Sequence, residues 1–506
     1  MLGRIKLDRF LIVVLLLIFL LALGVRISLI VISPRVAPFP GMITPIGDAA
    51  RNLVEGRGYV VDAQYVSSVV SLIDKEHILI DIQDVPPPPV EQFTKYYALP
   101  PGTSILLAGT YWIFGQYRYI YLRVIQAIID SFGCLLIFLA GRELFGRRVG
   151  LISAFLYAIW LPIAYLSTWP LHDALMPFIT LVCLYFFVMG VRRNATKFYI
   201  LSGLFVGVGC YFQPTILFLP LFFGLGLFIY SLHKSNFIER ITNAAKATVI
   251  TMLMVMLVIT PWIVRNYHVT GSVIVMRPGP WSNLWESFGE FGENPVGAQL
   301  SDEATYELAK KELGYNIEYL SPAYQAFFKP KVLNALKEHP AWYLGMVVKR
   351  IPIAIFIPSE LGIFNLPLIN TDYLIWLKYL YGTGPPGYVA PIKTLFQGVG
   401  DGTFWAMFKT HPYGAFYLVL VWLFAIIPPL MSIFAFWVAR RNWRLLALVA
   451  TVPVYFISIH IFTMVANYKS LVPGSLGYII FSAIVFDYIY CRIKCRAAVG
   501  NEPTVS

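Results

Sequence analysis

The sequence predicts an all-α polytopic membrane protein of about 10–12 transmembrane helices, with two long external segments that carry short interfacial helices. Three observations predict it. Hydrophobic residues make up 58% of the chain and charged ones only 13%, and the apolar residues gather into runs of about 18 or more, enough to cross roughly 30 Å of hydrocarbon as helix. Lipid offers the backbone no hydrogen-bond partner, so repeated runs of this kind are helices. Basic trios flank the runs on alternate sides: Arg4, Lys6, Arg9; Arg142, Arg147, Arg148; Arg192, Arg193, Lys197; Lys234, Arg240, Lys246; Arg440, Arg441, Arg444; Arg492, Lys494, Arg496. That is the positive-inside pattern, and it places both termini in the cytoplasm of a cell whose inner membrane the chain crosses.

Spans are expected near 10–32, 119–140, 149–168, 172–191, 199–213, 215–232, 247–264, 414–439, 444–465 and 470–491. The first run is too long for the apolar region of a signal peptide and no small-residue cleavage site follows it, so it is expected as a retained helix. The stretch 341–366 is apolar but broken by Lys349, Arg350, Pro352 and Pro358, and reads as interfacial, re-entrant or paired spans. Three units follow. Residues 1–264 form an N-terminal transmembrane module with an external loop, 33–118. Residues 265–411 form a second external segment with interfacial or re-entrant helices. Residues 412–506 hold the last helices and a cytoplasmic tail.

Both external segments are too long to be mere connectors. The first contains "GDAARNLVEGRGY", a short helix ending at glycines, and "LPPGTSILLAGTYWIFG", a helix started by proline. The second contains "SDEATYELAKKELGYN", an amphipathic helix, and "KPKVLNALKEHPAWYLGMVVKR".

The net charge of +12 is spent on membrane topology, so no nucleic-acid partner is expected. The five cysteines show no zinc spacing and offer no disulfide on the oxidising side. No glycine-rich phosphate loop with a Walker lysine is present, which argues against ATP or a nucleotide-sugar donor. The D-x-D pattern is absent as well. Nothing requires a metal or other cofactor, although an acid pair could bind a divalent ion.

Several weak motifs occur in a meaningful order: "DAARNLVEGRGY", "LPPGTSILLAGTYWIFG", "RVIQAIIDSFGCLLIFLAGRELFGRRVGLISAFLYAIWLP", "PWIVRNY", "KEHPAWYLGMVVKR" and "ANYKSLVPGSLGYII". Together they cover nearly the whole length. With them the chain resembles the GT-C superfamily of polytopic glycosyltransferases, in particular the bacterial group related to protein O-mannosyltransferases and aminoarabinose transferases. The resemblance implies an enzyme that takes a sugar from a polyprenyl-phosphate donor in the bilayer. It passes the sugar, with inversion, to an acceptor glycolipid, polysaccharide or protein on the external face. Such chemistry needs a carboxylate to take the acceptor proton and cations or hydrogen-bond donors to hold the leaving phosphate.

Asp48 and Asp173 are the candidate carboxylates. Asp48 follows a turn-like "TPIG" and begins the first external helix in this reading; capping that helix would explain it equally well. In many relatives the acid stands further upstream, near Met42 here. Asp173 stands in "STWPLHDAL", a tight external turn where relatives often place an acid, and capping explains it too. His172 beside it is a substrate contact or simply an interfacial polar residue. Arg265 in "WIVRNY" is placed to hold a carrier phosphate with its planar fork, or to snorkel to headgroups. Lys95, Tyr468 and Lys469 are further binding candidates, and Asn467 stands where relatives often have arginine. Arg123 opens the second span on the external side, where helix packing also accounts for it.

The rival from another class is a transporter or flippase of polyprenyl-linked lipid. Transporters tend to carry repeats, broken helices and mid-membrane charges; here Asp130 is an isolated exception. Convergence of Asp48, Asp173 and Arg265 on one external cavity would favour the enzyme. An oligosaccharide ligase or oligosaccharyltransferase is not expected, because no W-W-D signature occurs.

Overall fold

The computed structural model describes residues 9–32, 39–76, 79–88, 91–233, 236–315, 317–356, 399–400, 402–464 and 468–500. Helices dominate, and among the described residues six are long and apolar enough to cross a membrane. Shorter apolar helices accompany them, at 102–114, 196–210, 214–230 and 426–438.

Helix α1 (Arg9–Ile32) opens the bundle. Leu11, Leu15, Ile18, Ala22, Arg26 and Ile30 are buried, a stripe at three- and four-residue steps. Phe10, Leu16, Leu17 and Leu20 on the other faces are exposed, which suits lipid contact on those faces. The first external segment follows: α2 (Pro40–Val54), β1 (Val60–Asp62), α3 (Ala63–Glu76), β2 (Phe93–Lys95) and α4 (Gly102–Phe114). The two strands pair antiparallel, with Val60 opposite Lys95. Trp112, Ile113 and Phe114 at the end of α4 are exposed, as an interfacial helix requires.

The bundle continues through α5 (Tyr119–Ser131), α6 (Gly133–Phe145), α7 (Arg147–Ala158), the short α8 (Leu161–Leu166), α9 (Met176–Arg193), α10 (Thr196–Cys210), α11 (Leu219–Tyr230) and α12 (Phe237–Thr270). Asn236 starts α12 by accepting the Glu239 amide proton at 2.8 Å, and Gly271, at φ 68°, ends it. Helices α10 and α12 pack closely because α10 presents glycine there. A Cβ on Gly203 would meet the Thr251 carbonyl of α12.

Mid-bundle charge is closed on itself. Arg26 of α1 donates from Nε to Asp130 of α5 at 2.7 Å and from Nη1 to the Ala22 and Ala158 carbonyls. Tyr157 of α7 donates to the other Asp130 oxygen at 2.7 Å. Asp130 is therefore half of a buried pair, and the expectation of an isolated charge is corrected.

The second external segment holds α13 (Trp281–Ser287), α14 (Asp302–Leu313), α15 (Pro322–Glu338) and α16 (Pro340–Ile355). It has its own apolar cluster around Trp285, Phe288, Tyr324 and Phe328. Ser301 and Ser321 cap α14 and α15, and Gly314, at φ 74°, ends α14. Arg350 of α16 is buried against Glu290 at 2.7 Å. Most of the stretch beyond Phe356 up to Val399 lies outside the described residues, so only the first part of the 341–366 reading, α16, is described. The chain then forms α17 (Thr403–Thr410), α18 (Pro412–Val438), α19 (Trp443–Phe462) and α20 (Ser475–Gly500), with a 3-10 turn at Tyr468–Gly474 leading into the last.

Candidate active site

Two polar clusters lie at the end of the bundle shared by the C-terminus of α1 and the N-terminus of α9. Helix α2 serves both.

The first cluster surrounds Asp48. Helix α2 begins at Pro40 and continues through Pro45, so "TPIG" is helix rather than turn and Asp48 lies well inside it. The expected helix start is corrected: proline at the first position fixes a helical φ where no amide proton is needed. Asp48 accepts from Arg51 Nη2 at 2.8 Å and from the Asp62 amide at 2.7 Å. Arg51 lies over the Tyr65 ring at 4.3 Å. Burial raises the Asp48 carboxyl above its ordinary range, and the Asp62 amide and Arg51 pull the other way. Both oxygens of this carboxylate are thus held by the chain's own donors.

Arg265 is not at a helix exit, because α12 runs on to Thr270. Its Nη1 donates to the Tyr96 carbonyl at 2.6 Å and to Asn266 Oδ1 at 3.0 Å, and its Nη2 to the Tyr59 carbonyl at 3.2 Å. The guanidinium also lies 4.8 Å from the Trp262 ring centre and 5.4 Å from that of Tyr59. It ties the ends of β1 and β2 to α12. Lys95 is exposed on β2.

The second cluster surrounds Asp173, in the turn between α8 and α9. Asp173 does not cap α9, whose N-cap is Leu175 without a side-chain bond. Its Oδ1 accepts from Gln213 Nε2 at 2.8 Å and Ser470 Oγ at 3.1 Å. Its Oδ2 has no hydrogen bond among the described residues, although buried. Two nitrogens flank that oxygen: His172 Nε2 at 3.3 Å and Lys469 Nζ at 3.8 Å. His172 Nδ1 is buried and likewise without a hydrogen bond. The Lys469 ammonium otherwise meets weak partners, Met42 Sδ at 3.4 Å and the Phe39 ring at 3.7 Å. Buried polar atoms are nearly always paired, so an unpaired carboxylate oxygen beside two nitrogens marks a place where chemistry can occur. Arg123 supports this turn from α5, donating from Nε to the Thr168 carbonyl at 2.7 Å.

Met42 and Asp48 are six residues apart on α2, roughly 9 Å along the axis and about 120° around it. Met42 meets the Asp173 cluster and Asp48 faces β1. The sequence candidates therefore separate. Asp173, His172 and Lys469 come together; Asp48 and Arg265 both bind the β1–β2 region instead; Lys95 lies at the surface. The Tyr468 side chain and Asn467 lie outside the described residues.

Sequence reasoning missed Gln213, Ser470 and Arg277, and named Met42 only as the position near which relatives carry an acid. Gln213 could have been found, since an amide just before a proline at the end of an apolar run is conspicuous in "YFQPT". Arg277 is half-buried and places Nη2 3.4 Å from Asn283 Oδ1. Burial lowers its guanidinium from the ordinary value, and Tyr319, Asp173, Asp302 and Glu286 act against that. It stands on the connection between α12 and α13, within electrostatic reach of both Asp173 and Glu286. Glu286 is buried and raised far above the usual carboxyl range by desolvation and by Asp302 beside it. Among the described residues no three His, Cys, Asp or Glu side chains gather as metal ligands.

Residues 98–264 match the family model of dolichyl-phosphate-mannose-protein mannosyltransferase. That match bears out the GT-C resemblance. It includes Arg123, His172, Asp173 and Gln213, so it covers one wall of the second cluster. No curated protein matches. Two solved structures of an oligosaccharyltransferase from Archaeoglobus fulgidus are similar in fold. One, the archaeal enzyme AglB in complex with an inhibitory peptide and a dolichol-phosphate, is 12% identical with a TM-score of 0.48; the match covers 97% of this chain and 52% of that one. The other, in the apo form, is 13% identical with a TM-score of 0.48, covering 98% and 52%. The chain spans about half the length of these structures.

Proposed function

We propose that this protein is a membrane glycosyltransferase that moves a sugar from a polyprenyl-phosphate carrier to an acceptor hydroxyl at the external membrane surface. Asp173 is the general base. The single observation that carries the reading is the state of its carboxylate: Oδ1 is anchored by Gln213 and Ser470, while Oδ2 faces Lys469 and His172 and takes no hydrogen bond among the described residues.

The chemistry balances with the chain's own groups. The acceptor oxygen attacks the anomeric carbon, and its proton passes to Asp173 Oδ2. The bond from the anomeric carbon to the phosphate oxygen breaks with inversion, and the carrier phosphate leaves with an added negative charge. Lys469, which among the described residues meets a thioether, a ring face and Asp173, stabilises that charge. Arg277, on the connection between α12 and α13, adds a second cation. In relatives an acid stands near Met42; here the thioether of Met42 lies against Lys469, and Asp173 supplies the carboxylate from another element.

A transporter would need mid-membrane charge with freedom to act. The Arg26–Asp130 pair is fully buried and engaged with its own partners, which supports the enzyme over that reading.

The test is turnover of polyprenyl-phosphate hexoses and pentoses by the purified protein in nanodiscs, with Asp173→Asn in parallel. The expected result is sugar release or transfer by the wild type and a loss of about 10²–10⁴-fold in the variant. Equal rates in both would remove Asp173 as the base. No turnover of any donor, with donor lipid moved across vesicle membranes, would favour the flippase.

A further inference from the structure

A cavity of about 600 Å³ lies between the two external segments. Thr94, Lys95 and Tyr97 line it from the first segment, Thr270 from the end of α12, and Tyr315 and Glu318 from the connection between α14 and α15. Its size is that of pockets that hold small ligands. None of these residues serves the chemistry described above.

We infer that this cavity is the acceptor subsite and that it binds a neutral saccharide; the inference rests on the glycosyltransferase reading. Three features carry it. Lys95 and Glu318 are both exposed at the cavity, and neither takes part in an ion pair among the described residues. One carboxylate and one ammonium can receive and donate hydrogen bonds to ligand hydroxyls without imposing a net charge. Tyr315 is 57% exposed, and Tyr97 places its hydroxyl by Glu318. Tyrosine pairs an apolar ring, suited to the C–H face of a sugar, with a polar tip. A lipid tail would need a continuous apolar lining, and a phosphate would be opposed by Glu318.

The cavity also stands in the right place. Tyr319, which follows Glu318 directly, and Asp173 both act electrostatically on Arg277.

Saturation-transfer NMR on the full-length protein in nanodiscs tests this, with a mixture of the methyl glycosides of glucose, galactose and mannose and their β-1,4-linked disaccharides as probe. Transfer to the ring protons of at least one sugar is expected. It should fall at least fivefold in Tyr315→Ala and in Glu318→Gln. Binding of polyprenyl phosphate, measured on the same samples, should be unchanged. No transfer to any of these sugars, or transfer indifferent to both substitutions, overturns the subsite. So does saturation of an added extended peptide that is lost in the same variants, since it would assign the cavity to a protein acceptor. Loss of polyprenyl-phosphate binding in the wild type would instead overturn the glycosyltransferase reading.

Discussion

Ser470 donates its hydroxyl to Asp173 Oδ1 at 3.1 Å, across 297 positions of sequence. The turn before the last helix thus fixes the orientation of a carboxylate in the turn before α9. Gln213, from the end of α10, makes the second bond to the same oxygen. With one oxygen pinned twice, the other keeps a constant direction.

Ser470→Ala and Gln213→Leu should each slow transfer by about tenfold, the rate equivalent of one hydrogen bond of about 1–1.5 kcal/mol. Donor affinity should stay within a factor of about two, since neither residue meets the phosphate. The check is separate measurement of kcat and of donor binding. A rise in donor Kd with kcat intact would place both residues in the donor seat instead.

Asp48→Asn should affect stability more than turnover. The change leaves Arg51 without its charged partner while the Asp62 amide bond can persist. Breaking a buried pair on one side costs about 3–5 kcal/mol at most, and Arg51 retains Tyr65 and Glu91 as neighbours, so a smaller loss is expected. Assays below the melting temperature should find turnover within about tenfold of wild type. A loss of 10²-fold or more, in folded protein, would return the role of base to Asp48.

Arg265→Ala should loosen the first external segment. Its guanidinium donates to the Tyr59 and Tyr96 carbonyls, and charge-assisted bonds of this kind contribute about 1.5–3 kcal/mol. Faster amide exchange around residues 59–62 and 93–97 is the readout. Arg265→Lys should recover only part of the protection, because a single ammonium cannot span both carbonyls. Unchanged exchange together with weakened donor binding would show that the arginine acts on phosphate.

Asp130→Ala should be among the most damaging changes in the bundle, at about 3–5 kcal/mol, because it strands the fully buried Arg26. The double change Arg26→Met with Asp130→Leu should recover most of the loss. Thermal unfolding of the purified variants decides it. A double variant as unstable as the single one would mean that shape, and not charge, was lost.

Glu286 gives stability a pH dependence of definite sign. Its folded carboxyl titrates well above the ordinary 4.5, so between those values the folded state holds a proton that the unfolded state has lost. Stability from this group is present below about pH 4.5 and is lost as pH rises through the folded value. The slope is at most about 1.4 kcal/mol per pH unit. The thermal midpoint should therefore fall with rising pH, and Glu286→Gln should flatten that fall. A midpoint that rises with pH, equally in both proteins, would refute the assignment.

The sequence by itself determined the membrane architecture. The expected span 119–140 is matched by the candidate span Tyr119–Phe145, and that at 10–32 by α1. Lipid imposes that result: a run of apolar residues has no other way to satisfy its backbone. Caps were equally local, as with Ser301 opening α14 and Gly314 closing it, because three or four neighbouring residues fix them. The partners of the charged residues were not legible. Asp48 and Asp173 both read as acids near helix starts, and the same words described both. Packing separated them, once α2 was phased from Pro40 and turned Met42, not Asp48, toward Lys469. Arg26 and Asp130, 104 positions apart, became one buried pair for the same reason. Hydrophobic periodicity fixes which residues form a helix, but which side chains meet depends on rotations and approaches of whole helices that only the folded packing decides.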